Sequence, residues 1–220
     1  MALEPARKDA VLLDMDGTLV DTEPLWFAAE QAVAARYGVE LPAEAYHQLV
    51  GLHADALVAT LASRYGMDAD KDAFLSELAR EVEGRLATSQ ARPGAGELVE
   101  TVAERWQLRA LVSNSPEAVV EATLEPHRWS RLLPLRFPVD LVEHGKPQPD
   151  LYLLAAERLK VQPGRCLVVE DSVTGVTAAT RAGMTCIAVT FGEIDESSFA
   201  GLTGHVVDSL DAARRLLNGA

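Results

Sequence analysis

The first candidate for a reactive site along the sequence is a pair of aspartates. Asp14 and Asp16, in the segment DMDGT, directly follow the apolar run of residues 10–13. A short apolar run that ends in a glycine turn predicts a buried strand, and ligands of open α/β sheets bind at the carboxyl ends of the strands. Carboxylates there can attack as nucleophiles, exchange protons or bind a hard cation. An aspartate at a strand end can also be a turn or capping residue, so the other polar segments decide between these interpretations.

Two later segments supply groups that bind anions. Ser113 and Asn114 follow a second apolar run, and Ser115 with Pro116 suits the start of a helix, whose N-terminus can hold a phosphate. Lys146, in GKPQPD, stands directly before another predicted helix. The chain has a formal net charge of −13, so an anion can bind only where a metal or a local cation reverses the field. Lys146 is placed to supply that positive charge.

A fourth segment ends a further apolar run in two adjacent carboxylates, Glu170 and Asp171. Carboxylates at a strand end suit a hard cation, and a site with few ligands and a phosphate nearby favours Mg²⁺ over Ca²⁺. The histidines show no close spacing of metal ligands, and apart from His53 we interpret them as solvated or core residues. The expected cofactor is therefore Mg²⁺.

The elements between these segments predict a parallel sheet. Short apolar runs alternate with stretches of helical apolar spacing. The predicted strands are 10–14, 109–112, 165–170, 185–189 and 205–207, and the predicted helices are 97–105, 116–124, 150–159, 174–182 and 210–217. Strands that alternate with helices are typical of an α/β fold with a doubly wound, Rossmann-like parallel sheet. Residues 135–144 are less regular, because Pro138 argues against a long strand there.

Residues 22–89 break this alternation, because they show helical periodicity and no convincing strand. Their apolar residues fall on three helical faces, and the first two faces end at Gly38 and Gly66. The chain is therefore predicted to contain a core domain, residues 1–20 and 91–220, and an inserted all-helical domain, residues 21–90.

The bulk composition favours a globular protein that acts on a small molecule. At 220 residues and 48% hydrophobic content, the chain can bury a sizeable interior. Its negative charge would repel nucleic acid and anionic membranes, so neither is an expected partner. Cys166 and Cys186 form no CxxC pair, and residues 1–10 lack the apolar stretch of a signal peptide. A cytoplasmic location is predicted, and the oligomeric state stays open, although a monomer is compatible with the sequence.

Together, these segments resemble the haloacid dehalogenase superfamily over essentially the whole chain. Four motifs appear in the family's order: DMDGTLVDTE from Asp14, Ser113 with Asn114, Lys146 in GKPQPD, and EDSVTG from Glu170. The helical insert between the first and second motifs is similar to the family's first type of cap domain. DTEPLW resembles the branch that contains sugar-phosphate phosphatases and β-phosphoglucomutase. The resemblance implies a phosphatase that acts on a small phosphorylated metabolite.

The resemblance also implies roles for the acidic residues. Asp14 would attack phosphorus and form an aspartyl-phosphate, which divides one hard displacement into two easier ones. Asp16 would protonate the leaving alkoxide and then accept a proton from the hydrolytic water. Mg²⁺ would be held by Asp14, the backbone carbonyl of Asp16, and Asp171, with Glu170 binding directly or through water.

Phosphate binding is implied for four further positions. Lys146 would bridge Asp14 and the phosphate. The Ser113 hydroxyl and the backbone N–H groups near Asn114 and Met15 would bind phosphoryl oxygens.

Substrate recognition is expected in the cap. His53 lies in GLHAD, which resembles the family's substrate-contacting cap loop, although a solvated histidine is the alternative. Trp26 could wall the pocket or belong to the cap core. The first expected substrate is a hexose or deoxyhexose phosphate. The rivals are a phosphomutase of the β-phosphoglucomutase type and a binding protein without turnover. Trp26 stands where that mutase has a histidine, and GLHAD lacks the mutase's arginine, so water is the expected acceptor.

Overall fold

A computed structural model of the chain describes residues 8–49, 52, 54–86 and 88–219. They belong to two compact units, one built from Met1–Asp21 and Gln90–Ala220 and the other from Thr22–Ser89. The larger unit contains the following strands: β1 (Ala10–Leu13), β2 (Val20–Asp21), β3 (Gln90–Ala91), β4 (Leu108–Val112), β5 (Arg136–Phe137), β6 (Cys166–Glu170), β7 (Thr185–Val189) and β8 (His205–Val207). Its helices are α5 (Ala95–Arg105), α6 (Glu117–Leu124), α7 (Asp150–Leu159), α8 (Val173–Arg181) and α9 (Leu210–Asn218).

Six of these strands form one parallel sheet in the order β5-β4-β1-β6-β7-β8. The chain leaves β1 toward β4 and β5 on one side, and the later strands β6 to β8 lie on the other. Strand β1 is therefore the point at which the order reverses, and ligands of such sheets bind in the crevice beyond the carboxyl ends at that point.

The sheet has a helical layer on each face, as the alternation within β1 requires. Val11 and Leu13 pack with α5, α6 and α9, whereas Ala10 and Leu12 pack with α7 and α8. All four side chains are fully buried. Because a central parallel strand is covered on both faces, its sequence is a continuous apolar run. This explains why β1 could be predicted from the sequence.

The register places the ends of three strands side by side. Leu13 is paired with Leu111 of β4 on one side and with Val169 of β6 on the other. The Asp14 N–H donates to the Val169 carbonyl at 3.1 Å, which extends the ladder by one residue. The polar residues that follow these strands therefore meet at one edge of the sheet.

Strands β2 and β3 form a separate antiparallel ribbon at the two points where the chain passes between the units. Arg92, just after β3, fastens this ribbon to the loop after β1. Its Nε donates to the Gly17 carbonyl at 3.1 Å, and its two terminal nitrogens donate to the Glu193 carboxylate at 2.9 and 3.1 Å. The sequence pattern gave no sign of this ribbon.

The smaller unit contains the helices α1 (Glu23–Arg36), α2 (Tyr46–Leu49), α3 (Ala54–Tyr65) and α4 (Lys71–Leu86). The residue that follows α1, Tyr37, contacts α4 through an aromatic contact and a hydrogen bond. Tyr37 packs edge-on against Phe74, with ring centroids 6.0 Å apart, and its hydroxyl donates to Glu77 at 3.0 Å.

The predicted fold class, a doubly wound α/β core with a parallel sheet, is confirmed, and each strand predicted in the core is present within two residues of its expected bounds. Pro138 follows β5 directly and limits that edge strand to two residues. The domain boundaries at residues 20–21 and 90–91 stay a prediction. Within the described part of the chain, no helix is both long and apolar enough to cross a bilayer.

Candidate active site

A buried ion pair lies at the centre of the sheet edge. Lys146 precedes α7, and its Nζ donates to Asp14 Oδ1 at 2.5 Å, to Glu170 Oε1 at 2.7 Å and to the Val112 carbonyl at 2.9 Å. Asp14 is only 5% exposed and Lys146 only 7% exposed. The ammonium thus has three oxygen acceptors in a site from which water is largely excluded. It connects the ends of β1, β4 and β6.

Glu170 is the fully buried last residue of β6, and protein donors reach both of its carboxylate oxygens. Oε1 accepts from Lys146 and from the Tyr152 hydroxyl at 3.0 Å. Oε2 accepts from the N–H and the hydroxyl of Ser172, at 3.2 and 3.0 Å. A carboxylate offers about four acceptor positions, so these four donors use its capacity. Glu170 therefore serves first as the buried counter-ion that fixes Lys146.

Asp171 lies beside the loop that follows β1. Its Oδ1 accepts from the Thr18 hydroxyl at 2.7 Å. Gly17 has a φ of +80°, and a side chain at that position would overlap the Asp171 carboxylate. The glycine of DMDGT is therefore required both for the turn and for the close approach of Asp171.

Asp14, Glu170 and Asp171 form a compact acidic cluster. One carboxylate oxygen of each lies within 4.8 Å of the other two, and all three side chains are buried. An all-oxygen donor set suits a hard divalent cation. Three carboxylates beside one ammonium leave an excess of negative charge that such a cation would offset. The residues present thus fit a metal of the Mg²⁺ type.

The electrostatics of the site follow from burial and from this charge imbalance. Burial raises the pKa of Asp14 to about 7; the charge of Glu170 adds to the rise, and Lys146 opposes it. Burial alone would lower the pKa of Lys146, but the charges of Asp14 and Glu170 outweigh it and raise that pKa above its usual range. Lys146 is therefore a permanent cation, and the protonation state of Asp14 depends on what else binds nearby.

Asp16, in the loop after β1, contacts the end of β4 through its side chain. Its Oδ2 accepts from the Ser113 hydroxyl and from the Ser115 hydroxyl, each at 2.9 Å. Ser115 was a candidate cap at the start of a helix, but α6 begins at Glu117 and has no side-chain cap. The Ser115 hydroxyl instead faces the loop after β1, where Asp16 accepts from it. The residues next to Ser115 in the sequence do not indicate this contact.

Asn114 acts on Lys146 through the backbone. Its side-chain oxygen accepts from the Lys146 N–H at 2.8 Å, and its amide nitrogen donates to the Lys146 carbonyl at 3.1 Å. This reciprocal pair fixes the backbone that carries the lysine. Met15 is fully buried between Asp14 and Asp16, and its carbonyl accepts from the N–H groups of Leu19 and Val20 at 2.9 and 3.1 Å.

The two residues predicted to contact substrate belong to the smaller unit. Trp26 lies on α1 and is partly buried. His53 lies outside the described residues. The larger unit thus brings together Asp14, Asp16, Ser113, Asn114, Lys146, Glu170 and Asp171, and sequence reasoning missed Tyr152, Ser115 and Ser172 around them. The only sequence signal for Tyr152 is a hydroxyl-bearing side chain on the apolar face of a helix that follows Lys146.

Comparisons with known proteins agree with this geometry. The haloacid dehalogenase-like hydrolase family model matches residues 8–183. Fructose-1-phosphate phosphatase YqaB of Escherichia coli (strain K12) is 33% identical over 187 residues, which cover 83% of this chain and 97% of that protein. The bifunctional riboflavin kinase/FMN phosphatase of Arabidopsis thaliana is 33% identical over 180 residues, but the match spans only 48% of that protein, about half its length. The solved structure of a candidate beta-phosphoglucomutase from Thermotoga maritima has a TM-score of 0.78 at 28% identity, covering 96% of this chain and 98% of that one.

The chain belongs to the haloacid dehalogenase-like hydrolase family. The family predicted from the four motifs and the predicted enzyme class, a phosphatase, are both confirmed at this level.

Proposed function

We propose that this protein is a Mg²⁺-dependent phosphatase that hydrolyses a small phosphorylated metabolite, first of all a sugar phosphate, through an aspartyl-phosphate on Asp14. The observation that carries the proposal is the buried Lys146–Asp14 pair, 2.5 Å between Nζ and Oδ1, at the edge of an acidic cluster. A carboxylate held beside a fixed ammonium can meet a phosphoryl group whose charge the same ammonium balances.

The proposed reaction has two displacements. An oxygen of Asp14 attacks phosphorus, the bond from phosphorus to the ester oxygen breaks, and Asp16 gives that oxygen a proton. A water molecule then attacks the phosphorus of the aspartyl-phosphate and gives a proton to Asp16. The bond from phosphorus to the Asp14 oxygen breaks, and inorganic phosphate and the free carboxylate result.

The proposed metal ligands are Asp14, the backbone carbonyl of Asp16, and Asp171. Bound Mg²⁺ would supply positive charge that offsets the repulsion between an anionic nucleophile and an anionic phosphate. Glu170 is proposed to act through a water molecule, because protein donors already engage both of its oxygens.

The proposed phosphate contacts are the Lys146 ammonium, the Ser113 hydroxyl, and the N–H groups near Met15 and Asn114. Residues 21–90 are proposed to form a cap that limits the substrate to a small metabolite, with Trp26 and His53 as its substrate contacts. A cytoplasmic location is also proposed, since Cys166 and Cys186 are free and buried.

The relatives support more than one phosphorylated metabolite. One is a fructose-1-phosphate phosphatase and another carries an FMN phosphatase. We place sugar phosphates first because the match to the sugar-phosphate enzyme extends over nearly all of that protein. The test is a phosphate-release screen with fructose 1-phosphate, FMN and p-nitrophenyl phosphate, each with and without Mg²⁺. We expect phosphate release to require Mg²⁺ and kcat/KM to be higher for fructose 1-phosphate than for the other two compounds. Asp171→Asn should raise the Mg²⁺ concentration needed for release. Absence of Mg²⁺-dependent release from every compound would overturn the proposal.

A mutase is the second candidate, because a candidate beta-phosphoglucomutase is among the similar structures. The deciding assay supplies β-glucose 1-phosphate with catalytic glucose 1,6-bisphosphate and Mg²⁺, and follows glucose 6-phosphate and free phosphate separately. We expect phosphate to be the main product, because the indole of Trp26 has no acceptor or titratable proton for a proton-linked gate. Rapid formation of glucose 6-phosphate with little phosphate would establish the mutase instead.

A further inference from the structure

Two hydroxyl groups hold Asp16, and only one of them has a proposed role toward phosphate. The Ser113 and Ser115 hydroxyls both donate to Asp16 Oδ2 at 2.9 Å. The Ser113 Oγ also accepts from the Ser115 N–H at 2.9 Å. Ser115 is buried, so its hydroxyl is directed inward and not toward solvent. Ser115 therefore contacts both the acid/base carboxylate and the neighbouring hydroxyl.

A hydroxyl group has a single proton to donate. When the Ser113 hydroxyl donates to a phosphoryl oxygen, it can no longer donate to Asp16. The Ser115 hydroxyl is under no such competition, and its bond to Asp16 can persist. In addition, the Ser115 N–H can keep the Ser113 oxygen in place while its proton turns toward the phosphate.

We propose that Ser115 is a positioning residue that keeps Asp16 oriented toward the leaving oxygen while Ser113 binds the phosphate. The inference rests on the proposed phosphatase function. It concerns the step in which the bond from phosphorus to the ester oxygen breaks and the proton of Asp16 passes to that oxygen. Ser115 itself forms no bond to the substrate and gains or loses no proton in that step.

The role of Asp16 depends on the leaving group, and this gives the proposal a specific test. A sugar alkoxide is a poor leaving group and needs a proton as the bond breaks, whereas p-nitrophenolate leaves readily without one. A residue that positions the acid therefore matters for fructose 1-phosphate and matters little for p-nitrophenyl phosphate. The parameter to compare is kcat/KM, because it reports the steps up to release of the leaving group.

The experiment measures kcat/KM of the wild type and of Ser115→Ala on both substrates at saturating Mg²⁺. We expect a loss on the order of tenfold with fructose 1-phosphate, the scale of one hydrogen bond to a charged group, and a much smaller loss with p-nitrophenyl phosphate. The ratio of the two kcat/KM values does not depend on the fraction of protein that is folded, so it stays informative if the variant is less stable. Ser63→Ala is the matched control, because its exposed hydroxyl donates only to backbone carbonyls within α3, and its ratio should be that of the wild type.

Equal losses on the two substrates would overturn the proposal, because a merely structural role affects both alike. An unchanged kcat/KM for fructose 1-phosphate would overturn it as well. If the wild type releases phosphate from none of fructose 1-phosphate, FMN and p-nitrophenyl phosphate, the proposed function fails and this inference fails with it. That result differs from either failure of Ser115 alone.

Discussion

An ionised carboxylate buried as deeply as Asp14 destabilises the folded protein unless a cation lies beside it, because burial removes the charge from water. Lys146 supplies that cation, and Glu170 holds Lys146 from the other side. The Lys146 ammonium thus donates to Asp14 and to Glu170 at once. At the scale of single residues, the proposed nucleophile Asp14, its counter-ion Lys146 and the residue that positions Lys146, Glu170, are three separate residues, and Lys146 lies in the loop before α7.

Asp14→Asn should abolish turnover and preserve the fold. An amide cannot form an acyl-phosphate, so phosphate release should fall by on the order of a hundredfold or more. Asparagine is nearly isosteric with aspartate, so the circular dichroism spectrum should be unchanged. The measurement is phosphate release from the best substrate, with the unfolding temperature as a control for folding. A well-folded variant that retains more than about a hundredth of wild-type activity would refute Asp14 as the nucleophile.

The proposed site residues that could be predicted from their type and from their place after a strand or before a helix are Asp14, Asp16, Ser113, Lys146 and Asp171. The sequence did not identify residues that act through partners far away in the chain. Tyr152 resembles an ordinary core residue until Glu170, 18 positions away, is seen beside its hydroxyl. Ser115 resembles a helix cap until Asp16, 99 positions away, is seen to accept from it. Such pairings depend on strand order and register, which local patterns do not contain.

Helix α8 and strand β6 depend on each other through one glycine. Gly175 lies in the first turn of α8, and its N–H donates to the Ser172 hydroxyl at 2.9 Å. That same hydroxyl donates to Glu170. A side chain on Gly175 would overlap the Glu170 carboxylate. The close approach of the helix to the strand end therefore keeps Glu170, and through it Lys146, in place.

Gly175→Ala should displace Glu170 and so reduce both stability and activity. We expect a loss of about 1–3 kcal/mol in the free energy of unfolding, as for other overpacked sites, and a lower kcat because Lys146 loses its support. Gly84→Ala is the matched control, since Gly84 is also within a helix and an added Cβ there meets nothing within 4 Å. Its stability should rise by about 0.5–1 kcal/mol. Denaturant unfolding and phosphate release measure both, and equal behaviour of the two variants would contradict this account.

The elements that the sequence predicted are those with a strong apolar period. Strand β1 and helices α5 and α7 are long or fully buried, so their patterns are unambiguous. The β2–β3 ribbon was missed because each strand has only two residues. In addition, the whole smaller unit separates the two strands along the chain. Strand β5 also has only two residues, and from the sequence Pro138 argued only against a long strand there.

The molecule as a whole is strongly acidic, yet the proposed substrate is an anion. The long-range field therefore does not attract the substrate, and affinity has to come from the few positive charges at the sheet edge. Lys146 pairs with Asp14 and Glu170, and Asp171 adds a third carboxylate to the same cluster. A divalent cation that joins this cluster is expected to stabilise the folded protein as well as to assist the chemistry, because it binds the assembled site.

Because Asp14 is a proposed Mg²⁺ ligand, its raised pKa predicts that protons and Mg²⁺ compete for its carboxylate. Burial raises this pKa from an ordinary value of about 4 to about 7, so in the absence of Mg²⁺ part of the protein carries a proton on Asp14 near neutral pH. Binding of Mg²⁺ should expel that proton, and the half-saturating Mg²⁺ concentration should rise as the pH falls below 7.

Calorimetric titrations in two buffers of different ionisation enthalpy measure the proton release, which should approach zero near pH 9 and be absent in Asp14→Asn. Equal heats in the two buffers at pH 7 would contradict the coupling. If proton and Mg²⁺ binding are coupled in this way, acidification would release Mg²⁺ and abolish phosphatase activity while the protein stays folded.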